Sequence, residues 1–227
     1  MAARILATLT IGQSPRRDIA PVIARHVPPS VRLIDRGALD GLSRQQIAKR
    51  YEADPDEAAL VTRLQNGDVV NLSRRRMRDG VQAALTQLEA EGCDVVLLLC
   101  TGTFEGLECR KAWLVEPDHI IPPAVAGLVE RRRLGVIVPI PGQIESEADK
   151  WQVLPRPPLL AWASPYDDDG DALLEAGRTL QARGAEALLL DCIGFTERHR
   201  AVLALLGLPV IVSNALAAKA VGELLEG

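Results

Sequence analysis

Aromatic residues make up only 3% of this 227-residue chain, so recognition of nucleobases by stacking on aromatic platforms is not expected. There is no surplus of positive charge either. The net charge is −4 and the pI is near 5.5, which argues against a nucleic-acid backbone as partner. Arg74-Arg75-Arg76 and Arg131-Arg132-Arg133 are local basic runs of the kind found at solvated helix ends. No apolar run approaches the roughly 20 residues needed to span a bilayer, so no membrane partner is expected. The first residues lack the long apolar stretch and small-residue cleavage site of a signal peptide. Cysteine is scarce: Cys93, Cys100, Cys109 and Cys192 are too few for a disulfide framework in a chain this long. A reducing cytoplasm is therefore the expected location. His26, His119 and His199 make no metal-ligand spacing, so no metal is expected. Gly12 is not part of a Gly-x-Gly-x-x-Gly loop, which removes the sequence support for dinucleotide binding.

What the chain does contain is an alternation of short apolar runs with amphipathic stretches, at 48% hydrophobic and 25% charged residues. Strands are expected at Ile5 to Ile11, Val31 to Asp35, Val69 to Leu72, Val95 to Leu99, Leu134 to Pro139, Leu159 to Ala163, Ala187 to Leu190 and Pro209 to Val212. Helices are expected at Arg16 to His26, with Ser14 as cap and Pro15 at its first position, and from a start near Ser43. Ser73 should cap a long helix through Glu91, and further helices should run over Ile144 to Trp151, Asp171 to Arg183, Thr196 to Leu206 and Asn214 to Leu225. Strand–helix alternation of this kind predicts an α/β fold with parallel sheets flanked by helices.

An internal repeat sharpens that expectation. Leu88 and Leu180, Gly92 and Gly184, Cys100 and Cys192, and Gly102 and Gly194 each lie 92 residues apart. A weaker echo pairs Gly12-Gln13 with Gly142-Gln143. The repeat implies two similar lobes related by a pseudo-twofold, with a cleft between them. Residues 1–115 plus 214–227 should form the first lobe and 116–213 the second.

Cys100 and Cys192 each take the first position after a buried strand, at the carboxyl edge where open parallel sheets bind ligands. Each leads into a small-residue turn, Thr101-Gly102-Thr103 and Ile193-Gly194-Phe195, whose backbone N–H groups suit an anion. A carboxylate held there would place its α-carbon between two sulfurs. One thiolate could then remove the α-proton while the opposite thiol returns one, with no cofactor. Gln13 and Ser14 end the first strand at the same kind of edge. Ser73, Arg74 and Arg75 open a helix, from which an arginine could grip a second carboxylate bidentately. Asp191 could orient the turn or sit near Cys192, where its charge would raise the thiol pKa, and Asn214 follows the last strand as a cap or cleft residue. Cys93 and Cys109 read as structural, and His199 as surface or structural on its helix.

At these residues the sequence resembles a known group. Cys100-Thr101-Gly102-Thr103 and Cys192-Ile193-Gly194 are similar to the paired-cysteine motifs of the cofactor-independent aspartate/glutamate racemase superfamily. Over its full length the chain resembles the AroM family, through Leu9-Thr10-Ile11-Gly12-Gln13-Ser14-Pro15-Arg16, Asp35 to Ser43, Ser73-Arg74-Arg75, Lys150-Trp151-Gln152 and Asp191 to Arg200. The resemblance implies a two-lobed fold shared by racemases, a maleate cis–trans isomerase and an arylmalonate decarboxylase. In the amino-acid racemases Asn-Thr follows the first cysteine and Thr-His the second. Here Thr101-Gly102 and Ile193-Gly194 stand there, so an amino-acid substrate does not follow.

The expected function is a cofactor-independent isomerase or racemase-like enzyme, with Cys100 and Cys192 as acid and base. Its substrate would be a small carboxylate or dicarboxylate, bound by Gln13, Ser14, Ser73, Arg74, Thr101, Gly102, Thr103, Ile193, Gly194, Phe195 and Asn214. The alternatives are a single-cysteine cis–trans isomerase or decarboxylase, and a non-catalytic small-anion sensor. A homodimer is the assembly to look for.

Overall fold

A computed structural model describes residues 4–167 and 170–226; the start of the first expected lobe, at residues 1–3, lies outside the described residues. The chain divides into two compact units. The first comprises Met1–Cys100, Phe104–Pro117 and Ala218–Gly227, and the second Thr101–Thr103 and Asp118–Ala217. Beside the expected limits, Thr101–Thr103 group with the second unit, and the last helix is shared at Ala217/Ala218.

The first unit carries β1 (Ile5–Thr10), α1 (Ala20–His26), β2 (Arg32–Gly37), α2 (Arg44–Tyr51), β3 (Ala59–Arg63), β4 (Val69–Ser73), α3 (Arg74–Ala90), β5 (Val95–Leu99) and β6 (Trp113–Val115). Its sheet has the order β2-β1-β5-β6, all parallel. The second unit follows with α4 (Pro117–Val129), β7 (Leu134–Val138), α5 (Gln143–Ser146), a 3-10 turn at Asp149–Trp151, β8 (Leu159–Trp162), α6 (Asp171–Ala182), β9 (Ala187–Leu190), α7 (Glu197–Ala204), β10 (Val210–Val212) and α8 (Ser213–Leu225). Its sheet order, β8-β7-β9-β10, is again all parallel and repeats the first topology strand for strand.

Burial explains the inner strands. Every residue of β5, β7 and β9 is buried, as a strand covered on both faces by helices requires. In α3, Met77, Val81, Ala84, Leu85 and Leu88 fall on one face at helical spacing and join β1 and β5 in the first core. Each large apolar side chain fully buried there contributes about 1.5–3 kcal/mol.

The repeat extends to individual hydrogen bonds. Gly92 and Gly184 end their helices at positive φ, +82° and +92°. Behind them the N–H of Cys93 bonds to the Leu88 carbonyl (3.3 Å) and that of Ala185 to the Leu180 carbonyl (3.0 Å). Both are the six-to-one bond of a Schellman cap, with the glycine in the left-handed conformation that only it adopts freely. One residue on, an acidic side chain accepts from the backbone at the start of the neighbouring strand. Asp94 Oδ2 takes the Ile5 N–H at 2.7 Å, and Glu186 Oε2 takes the Arg133 N–H at 2.8 Å.

Several expectations need correcting. Helix α1 begins at Ala20, with Ile19 at its cap position and no side-chain cap, so Ser14, whose N–H and Oγ both donate to the Asp40 carboxylate (2.7 and 2.6 Å), lies several residues before it. The expected helix over Ile144 to Trp151 is broken into α5 and the 3-10 turn. Strand β4 lies in an antiparallel hairpin with β3, outside the parallel sheets. Strand pairing sets Leu6 against Val95 and Leu134 against Ala187. In that register Gly12 corresponds to Ile140, so the weaker echo at Gly142-Gln143 is two residues out of step. Elsewhere local signals held: Ser43 and Gln46 form the capping box of α2, and Ser73 caps α3.

Candidate functional site

At the carboxyl edge of the first sheet, Cys100 follows β5, whose Leu99 pairs with Thr10 of β1. Cys100 is buried and packs with the first core. The residues proposed to line this edge are strongly engaged with their own unit. The Gln13 amide donates to the Leu42 carbonyl (3.2 Å) and accepts from the Gln65 N–H (3.0 Å), bridging two loops. Ser14 is held by Asp40, whose carboxylate also takes the Gly37 N–H at 2.8 Å. Ser73 is fully buried, with its Oγ donating to Glu57 and accepting from the Arg76 N–H at 3.2 Å. That pattern makes Ser73 a helix cap whose one donor is committed to Glu57. The bond from Ser73 is the main cause holding the Glu57 carboxyl below its usual range. Arg74 is half-buried, Arg75 is 79% exposed, and Arg76 is tied to the Glu52 carbonyl (2.7 Å) and to Asp54.

In the second unit the edge is built around Asp191 and Cys192, directly after β9. The Asp191 N–H continues the ladder by bonding to the Ile137 carbonyl at 2.9 Å. Cys192 is buried, at 9% exposure, and the Gly194 N–H approaches its Sγ at 3.4 Å. Phe195 N–H bonds to the Cys192 carbonyl at 3.2 Å. Two donors of this turn are thus used within it rather than offered to a carboxylate, and one of them faces the sulfur.

The turn is fastened from behind. Asn214 Nδ2 donates to the carbonyls of Ile193 (3.0 Å) and Phe195, and Ser213 Oγ to the Leu190 carbonyl (2.8 Å). Asn214 is 2% exposed, so it is a brace for the turn. Phe195 meets the His199 ring edge-on at 5.3 Å between centroids. His199 Nδ1 accepts from the Thr196 N–H at 2.8 Å. Burial, reinforced by Arg198, lowers the His199 pKa and keeps the ring neutral near pH 7. A Cβ added at Gly194 would sit 3.1 Å from both Pro165 Cγ and Tyr166 Oη, so the close approach of these residues depends on glycine.

Sequence reasoning missed the charged group beneath this edge. Lys150, in the 3-10 turn, is 3% exposed and forms an ion pair with Asp191 at 2.7 Å, the Asp191 side chain being 1% exposed. Its Nζ also donates to the Thr101 carbonyl at 2.8 Å and lies 3.8 Å from Asp118. Thr101 in turn donates from Oγ1 to the Asp191 carbonyl at 3.3 Å. Burial by itself would lower the Lys150 pKa, but Asp191, Glu147 and Asp118 overcome it and raise it, so the ammonium stays charged. Burial pushes the Asp191 carboxyl up while Lys150 holds it down in part. The Asp191 charge is thereby balanced by Lys150 and does not act on Cys192 alone. A lone lysine has no spacing signal; the one hint was its place in Lys150-Trp151-Gln152.

The other thiols differ in kind. Burial, together with Glu89 and Glu116, pushes the Cys109 thiol up to about 11. Burial, with Glu91 and Asp94, raises that of Cys93. Both are inert neutral groups at pH 7. None of the four cysteines is in a disulfide.

Two parallel-sheet units with the same strand order define the class: an α/β protein with an internally repeated sheet topology. The chain belongs to the AroM family, whose model, described as AroM protein, matches residues 6–225. Among solved structures it is similar to allantoin racemase from Pseudomonas fluorescens, at 16% identity and a TM-score of 0.63 over 97% of this chain and 90% of that one. It is also similar to glutamate racemase from Aquifex pyrophilus, at 11% identity and a TM-score of 0.61 over 98% of this chain and 84% of that one. An unliganded arylmalonate decarboxylase matches at 15% identity and a TM-score of 0.60 over 99% and 94%. These likenesses show that the chain shares the fold of those proteins. No curated protein matches the sequence. Among the described residues no helix is long and apolar enough to cross a membrane.

Proposed function

We propose that this protein is a cofactor-independent isomerase or racemase-like enzyme that moves a proton at the α-carbon of a small carboxylate, with Cys100 and Cys192 as the acid–base pair. The observation that carries the reading is positional. Each cysteine directly follows the corresponding inner strand of a duplicated sheet, β5 or β9, at the edge where such sheets bind ligands. The Gly194 N–H lies 3.4 Å from the Cys192 sulfur, so the turn and the sulfur are held together. The racemases and the decarboxylase with the same fold make carbon-acid chemistry the natural class, without naming the substrate. The reading requires both sulfurs to reach one ligand, the thiolate taking the proton and the thiol supplying another.

The test is to incubate the protein in deuterium oxide with a panel of small mono- and dicarboxylates and to follow the α-proton by NMR. Loss of that signal as deuterium enters from solvent is the expected result. Carboxylates that raise the melting temperature by mass action yet never exchange would favour the anion-sensor reading instead.

A further inference from the structure

The cysteine reading leaves the buried charge cluster of the second unit unused, and that cluster is an improbable thing to keep without purpose. Moving an ammonium or a carboxylate out of water costs several kcal/mol per ion. Yet Lys150, Asp191 and Asp118 meet with side chains 3%, 1% and 11% exposed. Glu147 is also buried, at 2%, and its charge acts on the same ammonium. The Lys150 Nζ lies 5.3 Å from the centre of the Trp151 ring, which is itself 1% exposed. The ammonium therefore sits between an aromatic face and carboxylates, on a side chain only 3% exposed.

Its partners show what it organises. The Thr101 carbonyl belongs to the residue that follows Cys100, and the Asp191 carboxylate to the residue that precedes Cys192. The Thr101 hydroxyl closes the circuit by donating to the Asp191 carbonyl. One side chain is thus bonded to the flanking residue of each cysteine.

We propose that Lys150 is a positioning residue that fixes the main chain beside Cys100 and Cys192 together. The proposal rests on the acid–base reading for its purpose, but its evidence is geometric and its test is separate. Lysine suits the task because three donors radiate from one compact charge, so a carbonyl and a carboxylate can be held at once. Methionine at the same place would fill the volume and hold neither.

The experiment reads thiol chemistry, not turnover. In the native protein Lys49, Lys111 and Lys219 are exposed and should be acetylated readily. Lys150 should react at least about 100-fold more slowly, because its reaction needs local opening. Site-resolved alkylation by iodoacetamide then compares wild type with Lys150→Met/Asp191→Asn, in which both charges are removed together, and with Asp191→Asn alone. In the double variant Cys100 and Cys192 should alkylate about tenfold faster while Cys93 and Cys109 stay within about twofold of wild type, as local loosening predicts. Asp191→Asn should release Cys192 more than Cys100, since the bond from Lys150 to Thr101 survives. Unchanged rates at Cys100 and Cys192, or an equal rise at all four cysteines, would overturn the proposal. Should the variants not fold, acetylation of Lys150 in the native protein at the rate of the exposed lysines overturns it equally. A protein that exchanges no α-proton but shows the selective alkylation retains the Lys150 role and loses the acid–base reading. A carboxylate that is turned over by the double variant with kcat unchanged has the opposite meaning.

Discussion

The two sheet edges share a plan and differ in how they are secured. In the second unit the turn after Cys192 is braced from within that unit, by Asn214 on two carbonyls, Ser213 on the strand end and the Gly194 N–H on the sulfur. In the first unit Gln13, Ser14 and Ser73 are engaged by Leu42, Gln65, Asp40 and Glu57, which tie loops to one another. The stretch after Cys100 instead groups with the second unit, where Lys150 and Asp191 hold Thr101. Duplication kept the strand, the helix cap and the cysteine, while the polar surroundings went separate ways. The lesson is that a repeated backbone places two like groups, and that the side chains behind each place decide what it can do.

The largest expected effect comes from breaking the asymmetric part. Lys150→Met leaves buried carboxylates uncompensated and should lower stability by about 3–5 kcal/mol, read by urea denaturation. Lys150→Met/Asp191→Asn should recover only part of that loss, since Asp118 and Glu147 stay behind without the ammonium. Asn214→Ala leaves the carbonyls of Ile193 and Phe195 without their donor and should lose about 1–3 kcal/mol; a loss near zero would remove the brace from the account. The shared part makes a matched prediction. Gly92→Ala and Gly184→Ala should each destabilise by about 1–2 kcal/mol, since both force a Cβ into the left-handed region. Costs that differ severalfold would deny that the two helix ends are equivalent. The smallest effect concerns a thiol outside both edges. Cys109 has its pKa raised in the fold from 9.0 to about 11, so its neutral form is the favoured one. Its contribution to stability is present below pH 9 and is lost as pH rises through about 11. Its alkylation rate should climb with a midpoint near that upper value, and a midpoint at the ordinary thiol value would contradict the burial argument.

Much of the fold was legible because its signals are local. The inner strands announced themselves as runs of aliphatic residues, and the caps at Ser43 and Ser73 lie within one turn of their partners. The repeat was visible because helix, glycine, strand and cysteine follow each other without insertion. Strand β6 was missed because Trp113–Val115 is three residues long. Helix α4 was missed because it contains Pro122 and Pro123, which speak against a helix interior. Strand β3 was hidden in a segment of mixed polarity, its pairing with β4 being a tertiary fact. At the site, the cysteines were found through the repeat. Lys150 was not, because a buried ammonium is defined by partners far away in sequence, at Thr101, Asp118 and Asp191. Ser14 misled for a different reason: Ser-Pro before an amphipathic stretch is a fair cap signal, but the helix starts only at Ala20, and Ser14 ties itself to Asp40.

The central claim is that Cys100 and Cys192 act together on one α-carbon. Its most direct measurement is the rate of deuterium uptake from solvent by the carboxylate that the wild type exchanges fastest, compared for Cys100→Ser and Cys192→Ser. The account predicts that each substitution lowers racemising exchange by at least about 100-fold, while the ligand-induced rise in melting temperature survives. Full turnover in either variant would contradict it.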